Sequence, residues 1–129
     1  MSKEKQWPLK GVKVLDLGQI YNGPYAGFLL AHAGADVIKL EPLQGEVLRQ
    51  RGGGVIPLSF AMLNTNKRGI AINLKNEKGK EILIKLVKEA DVLLENFAPN
   101  AMERLGLGSK VLTDVNPRLI YASGSGYGL

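Results

Sequence analysis

Short runs of β-branched and other apolar residues alternate along this chain with longer stretches of helical period, and that alternation leaves few folds open. Residues 12–17, 35–40, 69–74, 92–95 and 118–122 read as strands. Between them, 23–33 has the apolar spacing of a helix ended by Gly34, and 77–90 carries Ile82, Leu83, Leu86, Val87 and Ala90 on one face with lysines and glutamates opposite. Shorter helices are expected at 47–50, 58–63, 100–105 and 109–115, the first within a turn-rich basic connection over 45–54. Strand, helix, strand in that order is the signature of a parallel sheet. The predicted fold class is therefore α/β, a Rossmann-like parallel sheet with flanking helices, in one unit over residues 1–129 with no break in composition.

Composition narrows the chemistry. With no cysteine, thiol nucleophiles, disulfides, iron–sulfur clusters and cysteine zinc sites are excluded, and the single His32 cannot build a multi-imidazole metal centre. His32 sits between Ala31 and Ala33 in an apolar helical pattern and reads as structural, and no metal site is expected. Residues 1–10 are polar and basic without an apolar core, and no run of 18 apolar residues occurs, so a cytoplasmic protein with no membrane contact is expected. A net charge of +5 suits an anionic partner, but aromatics make up only 6% and do not interleave with basic residues. Nucleic acid is therefore not expected as the partner.

Ligands of parallel sheets gather beyond the carboxyl ends of the strands. Three of those ends look alike: Tyr21-Asn22-Gly23-Pro24, Lys75-Asn76, and Asn96-Phe97-Ala98-Pro99 each combine a polar residue with a helix entrance. Helix amino termini along one edge favour an anion, and Lys39, Lys75 and Arg104 are placed by the pattern near that edge. Phe97 offers a flat face to a base or an apolar chain. A dinucleotide site with Glu41 on the ribose fails, because the glycines at 18, 23 and 27 do not give the G-x-G-x-x-G spacing. Gly52-Gly53-Gly54 leads into Val55-Ile56-Pro57, so there is no Walker lysine motif either.

The segments 9–17, 23–26, 34–42 (Gly-Ala-Asp-Val-Ile-Lys-Leu-Glu-Pro), 66–70, 90–97 (Ala-Asp-Val-Leu-Leu-Glu-Asn-Phe), 104–108 and 116–123 with Gly126-Tyr127-Gly128 together resemble the amino-terminal part of the class III coenzyme A transferases. This is the CaiB/BaiF family, which includes formyl-CoA and carnitine CoA-transferases and α-methylacyl-CoA racemase. The resemblance implies a CoA site on the carboxyl edge of the sheet, in an interlocked homodimer. By position, Gln19, Tyr21 and Asn22 would line the thioester end. Ile72 and Lys75 would meet the adenosine and phosphate part, and Asn96, Phe97, Arg104 and Leu105 would also line the CoA. Tyr21-Asn22 and Pro42 depart from residues common in the family, which leaves the acyl specificity open.

The family's reaction moves CoA between an acyl-CoA and a carboxylic acid through an aspartyl-CoA thioester, with no permanently bound cofactor. Asp16, Asp36, Asp91 and Asp114 read as structural, and the resemblance puts the nucleophilic aspartate beyond Leu129. The expectation is a part of the CoA site, inactive alone. The racemase reaction of the same family stays open, as do a stand-alone CoA- or nucleotide-binding module and a structural subunit without catalysis.

Overall fold

The computed structural model describes residues 7–53 and 55–128. Residues 1–6, Gly54 and Leu129, and whatever the sequence led us to expect of them, lie outside the described residues. Five strands, β1 (Lys13–Asp16), β2 (Asp36–Glu41), β3 (Arg68–Ala71), β4 (Val92–Glu95) and β5 (Ile120–Ser123), form one sheet in the order β3-β2-β1-β4-β5, all parallel. That order, with its reversal between β1 and β4, is the doubly wound arrangement, as the alternation of strand and helix predicts. The helices are α1 (Asn22–His32), α2 (Val47–Gln50), α3 (Leu58–Leu63), α4 (Glu77–Val87), α5 (Ala101–Arg104) and α6 (Ser109–Val115).

Alternation along the strands divides the core into two layers. Val14, Val37 and Leu94 pack with Ala31 of α1 on one face. On the other face Leu15, Leu40 and Leu93 pack with Leu83 and Val87 of α4, Met102 of α5 and Leu112 of α6. Both faces are covered, which is why the strands read as nearly continuous apolar runs rather than as alternating ones.

Element ends differ from the sequence reading in ways with local causes. Strand β3 stops at Ala71 rather than continuing to 74: Ile72 N still donates to Glu41 O of β2 at 2.8 Å, but Asn73 begins the turn into α4, its Oδ1 accepting from Lys75 N at 3.0 Å and its O from Asn76 N at 3.1 Å. Helix α4 ends at Val87 rather than 90, where Asn116 reaches across: its Nδ2 donates to Val87 O at 2.9 Å and Ala90 O at 2.8 Å, satisfying carbonyls that a helix end leaves free. Asn76 caps α4 as expected, accepting from Lys78 N at 2.9 Å. Neither Asn22 nor Gly23 caps α1. That helix begins one residue earlier, with Tyr21 at the cap position and no side-chain cap bond.

Candidate functional site

The carboxyl ends of β1 to β4 enclose a cleft of about 370 Å³. Its floor is the upper rim of the larger core layer: Leu17, Leu40, Ile72, Phe97 and Leu105 all belong to that cluster or pack against it. Glu41, Pro42, Leu43, Gln44 and Glu46 wall it on the side of β2, and Asn73 to Lys75 wall it on the side of β3. Lys75 is exposed at this wall, directly before the capped amino terminus of α4. The result is an apolar trough with one cation at its margin. It suits a long, largely apolar chain ending in an anion better than a compact ion.

Of the residues singled out from sequence, Gln19, Ile72, Lys75, Phe97 and Leu105 come together in this cleft. The others are placed elsewhere. Tyr21 and Asn22 are exposed at the start of α1 and do not line it. Arg104 is exposed outside the cleft and donates to Pro99 O at 3.2 Å. Asn96 lies between two loops, its Oδ1 accepting from Gln19 N at 2.6 Å and its Nδ2 donating to Gln19 O at 3.0 Å. These two bonds bridge the crevice between β1 and β4, where a doubly wound sheet would otherwise be open. Only α4, of the three helix entrances expected to share an anion, opens beside the cleft, and α5 has just four residues.

Lys39 requires a correction. It does not project from the sheet edge but is 2% exposed beneath the loop after β1, where it donates to Gly18 O and lies 4.0 Å from Asp16. The register explains its position. Lys39 is paired with Asp16 across parallel strands, so both side chains point to the same buried face. Burial pushes the Lys39 ammonium below its ordinary pKa, with Asp16 and Glu46 opposing that shift.

Sequence reasoning missed the rest of this charged cluster. Lys67, which precedes β3, places its ammonium 2.7 Å from Asp16 Oδ2 and also donates to Pro24 O at 2.8 Å and Asn64 Oδ1 at 3.0 Å. Burial lowers its pKa too, despite the carboxylate. Glu41 accepts from Arg49 through both oxygens, at 2.6 and 2.8 Å, and from Glu46 N at 2.9 Å. Burial alone would raise the Glu41 pKa, but those bonds hold it below the ordinary carboxylate value. The Arg49 guanidinium in turn lies 3.9 Å from the Phe60 ring centre. One available sequence signal was Glu41-x₄-Glu46-x₂-Arg49, three charges closely spaced around a glycine turn.

Glycines let the elements close over this cluster. A Cβ on Gly18 would lie 2.6 Å from Gly23 Cα, and one on Gly27 would lie 2.6 Å from Asp16 Oδ2, so α1 reaches the end of β1 only because both positions lack side chains.

The sequence profile of CoA-transferase family III matches residues 9–129. The chain belongs to this family. The formyl-CoA:oxalate CoA-transferase of Streptomyces avermitilis is 46% identical over 123 residues, covering 93% of this chain and 30% of that protein. An acyl-CoA transferase of Fusarium pseudograminearum is 41% identical over 139 residues, covering 98% and 30%. Among solved structures, a hypothetical protein of Mycobacterium tuberculosis superposes with a TM-score of 0.87 at 42% identity, covering 95% of this chain and 35% of that one. A CaiB/BaiF family protein of Brucella suis gives 0.85 at 39%, covering 90% and 32%. The chain thus spans about 30% of the length of the curated relatives it matches. Among the described residues, no helix is long and apolar enough to cross a membrane, and no group of histidines and carboxylates could hold a metal.

Proposed function

We propose that this chain forms the CoA-carrying edge of a family III transferase that moves CoA between an acyl-CoA and a carboxylic acid. The observation that carries this reading is the cleft itself, an apolar trough across four strand ends with Lys75 at its wall and Gln19 at the end of β1. A pantetheine arm matches the apolar floor, and the phosphates match the lysine beside the α4 amino terminus. Lys39 drops out of the ligand set, since its ammonium is sealed under the loop. Tyr21, Asn22, Asn96 and Arg104 lie around the cleft rather than in it.

The transfer chemistry of this reading needs a carboxylate nucleophile. It attacks the acyl-CoA thioester carbonyl and expels CoA thiolate, forming a mixed anhydride. The thiolate then opens the anhydride at the aspartyl carbonyl, releasing the first acid and leaving an aspartyl-CoA thioester. The acceptor acid repeats both steps in reverse order. None of the chain's own aspartates lines the cleft: Asp16 is ion-paired and fully buried, Asp36 pairs with Arg68, Asp91 accepts from Lys13 N, and Asp114 pairs with Lys110. The reading therefore assigns binding to these residues and nucleophilic attack to an aspartate outside them.

A second copy of the chain is the partner this reading favours. Tyr25 and Leu29 on α1 and Leu58 and Met62 on α3 are exposed apolar side chains on helices that touch each other, which supports such a pairing. Titration calorimetry of the protein with CoA, ATP and NAD tests the ligand class. CoA is expected to bind most tightly, and Lys75→Ala to weaken it by about 1–3 kcal/mol, the usual cost of a lost charge-assisted contact. Equal affinities for the three ligands would refute the reading.

A further inference from the structure

Residues 18–20, which follow Leu17 beyond the end of β1, have no regular secondary structure, yet their backbone is held by four side chains from four places in the fold. Asp16 Oδ1, at the end of β1, accepts from Gly18 N at 2.8 Å. Lys39 of β2 donates to Gly18 O. Asn96, just past β4, takes both Gln19 N and Gln19 O. Glu46, which precedes α2, accepts from Ile20 N at 2.9 Å. A loop normally leaves such groups to water. Here they are assigned to buried or half-buried side chains, at the cost of burying several charges.

The conformation so held is a strained one. Ile20 has φ of 63°, in the left-handed region that a β-branched residue rarely enters. Strain of this kind persists only where the surroundings over-determine it. The group acting directly on that residue is Glu46. It is 1% exposed, and its Oε1 receives both Ile20 N and Leu48 N, while Oε2 has no hydrogen-bond partner. The carboxylate therefore joins the first turn of α2 to the strained residue, and the adjacent residue is Gln19 in the cleft wall.

We propose that Glu46 is a positioning residue, which holds residues 18–20 in the strained conformation and thereby sets Gln19 against the ligand. The proposal rests on the CoA reading of the cleft, in which Gln19 meets the pantetheine and thioester end. Glu46 itself does not have to touch the ligand. Releasing it would let Ile20 relax toward an ordinary conformation and move Gln19, leaving the distant Lys75 end of the cleft as it was.

The test compares CoA with ADP, which lacks the pantetheine arm, by calorimetry on the protein. Glu46→Ala is expected to weaken CoA binding by about 10-fold or more, the loss typical of one charge-assisted hydrogen bond, and to leave ADP binding within about 2-fold. Glu46→Gln keeps one oxygen acceptor and puts its amide nitrogen where Oε2 has no partner, so it is expected to behave as the unaltered protein. In Glu46→Ala, adding Ile20→Gly removes the strain and is expected to restore part of the CoA affinity. A parallel loss of CoA and ADP binding, no loss of either, or equal defects in the Ala and Gln variants would overturn the proposal. Amide hydrogen exchange on the unaltered protein needs no variant and no ligand: the Gln19 and Ile20 N–H groups should be protected to the level of β1, and fast exchange there would overturn it as well. If the unaltered protein fails to prefer CoA, the reading of the cleft fails instead, whatever the exchange data show.

Discussion

Replacing Lys67 with methionine gives the sharpest test of the buried charge cluster. The side chains of Lys67 and Asp16 are 1% and 0% exposed, and their 2.7 Å ion pair sits between β1, α1 and the residues leading into β3. Methionine nearly matches lysine in length, so packing changes little and the loss is electrostatic. Asp16 would keep Gly18 N at 2.8 Å and the Lys39 ammonium at 4.0 Å, while Pro24 O and Asn64 Oδ1 would each lose a donor. Breaking one side of a buried pair costs about 3–5 kcal/mol, because the remaining charge stays buried. Residual contact with Lys39 favours the lower half of that range, about 3 kcal/mol. In a domain of this size that corresponds to a fall in Tm on the order of 10 °C. Urea unfolding followed by circular dichroism would measure it. The control is Arg68→Met on the exposed pair with Asp36, where side chains 66% and 46% exposed should yield no more than about 1 kcal/mol. A loss below about 1 kcal/mol for Lys67→Met, equal to the control, would refute the claim that this pair carries the junction.

Further outcomes follow from single contacts. Asn116→Ala removes two donors from the end of α4 and leaves the Val87 and Ala90 carbonyls unpaired, so stability should fall by about 2–3 kcal/mol in the same unfolding assay. Gly18→Ala puts a methyl 2.6 Å from Gly23 Cα and 2.8 Å from Asp16 Oδ1. It should cost about 1–3 kcal/mol, whereas Gly69→Ala, whose Cβ meets nothing within 4 Å, serves as the tolerated comparison. Arg104→Ala should reduce CoA affinity less than Lys75→Ala does, because Arg104 turns to Pro99 O outside the cleft; calorimetry showing the reverse order would count against the cleft as the ligand site. Acid stability should report Glu41, whose pKa in the folded protein lies below its ordinary 4.5. The unfolded chain takes up that proton first, so the stabilisation is complete above 4.5 and is lost as pH falls through the lower folded value. Glu41→Gln should flatten that part of the unfolding free energy against pH, and an unchanged slope would show that another group controls it.

The architecture was readable because it depends on apolar periodicity, which survives in a single sequence. Strands β1, β2, β4 and β5 and the α4 face fall where the runs place them, since each must bury a recognisable stripe. What escaped was polar. Lys39 read as a cation at the ligand edge and Lys67 was not singled out, because nothing in the local pattern around either one shows that a carboxylate awaits it in the fold. Their burial depends on the parallel register of β1 with β2 and on the approach of α1 through Gly23 and Gly27, both long-range features. The same blindness affected Asn96 and Asn22. Asparagine before a helix favours a cap on local grounds, but Asn96 is taken by Gln19, 77 residues away, and α1 begins at Asn22 without a side-chain cap.

The placement of these charges bears on what the cleft can do. Hydrophobic packing alone would bury the rim of β1 and β2 more cheaply than Asp16, Lys39, Lys67, Glu41 and Glu46 do, since each buried ion loses hydration that its partner only partly replaces. Apolar residues, however, could not hold the backbone of residues 18–20, whose N–H and C=O groups require acceptors and donors at fixed places. Asp16, Lys39 and Glu46 supply them together with the neutral Asn96, and with Lys67, Glu41 and Arg49 the cluster sets three cations against three carboxylates, so it adds little field of its own to the cleft. The anion-attracting potential is then left to Lys75 and the α4 amino terminus at the β3 wall. On the proposed CoA reading, rigid placement belongs to one end of the cleft and charge recognition to the other, and substitutions at Glu46 and at Lys75 should weaken CoA binding independently. A double variant is expected to lose the sum of the two single losses to within about 0.5 kcal/mol. A clear departure from additivity would show that the two ends act through a shared element.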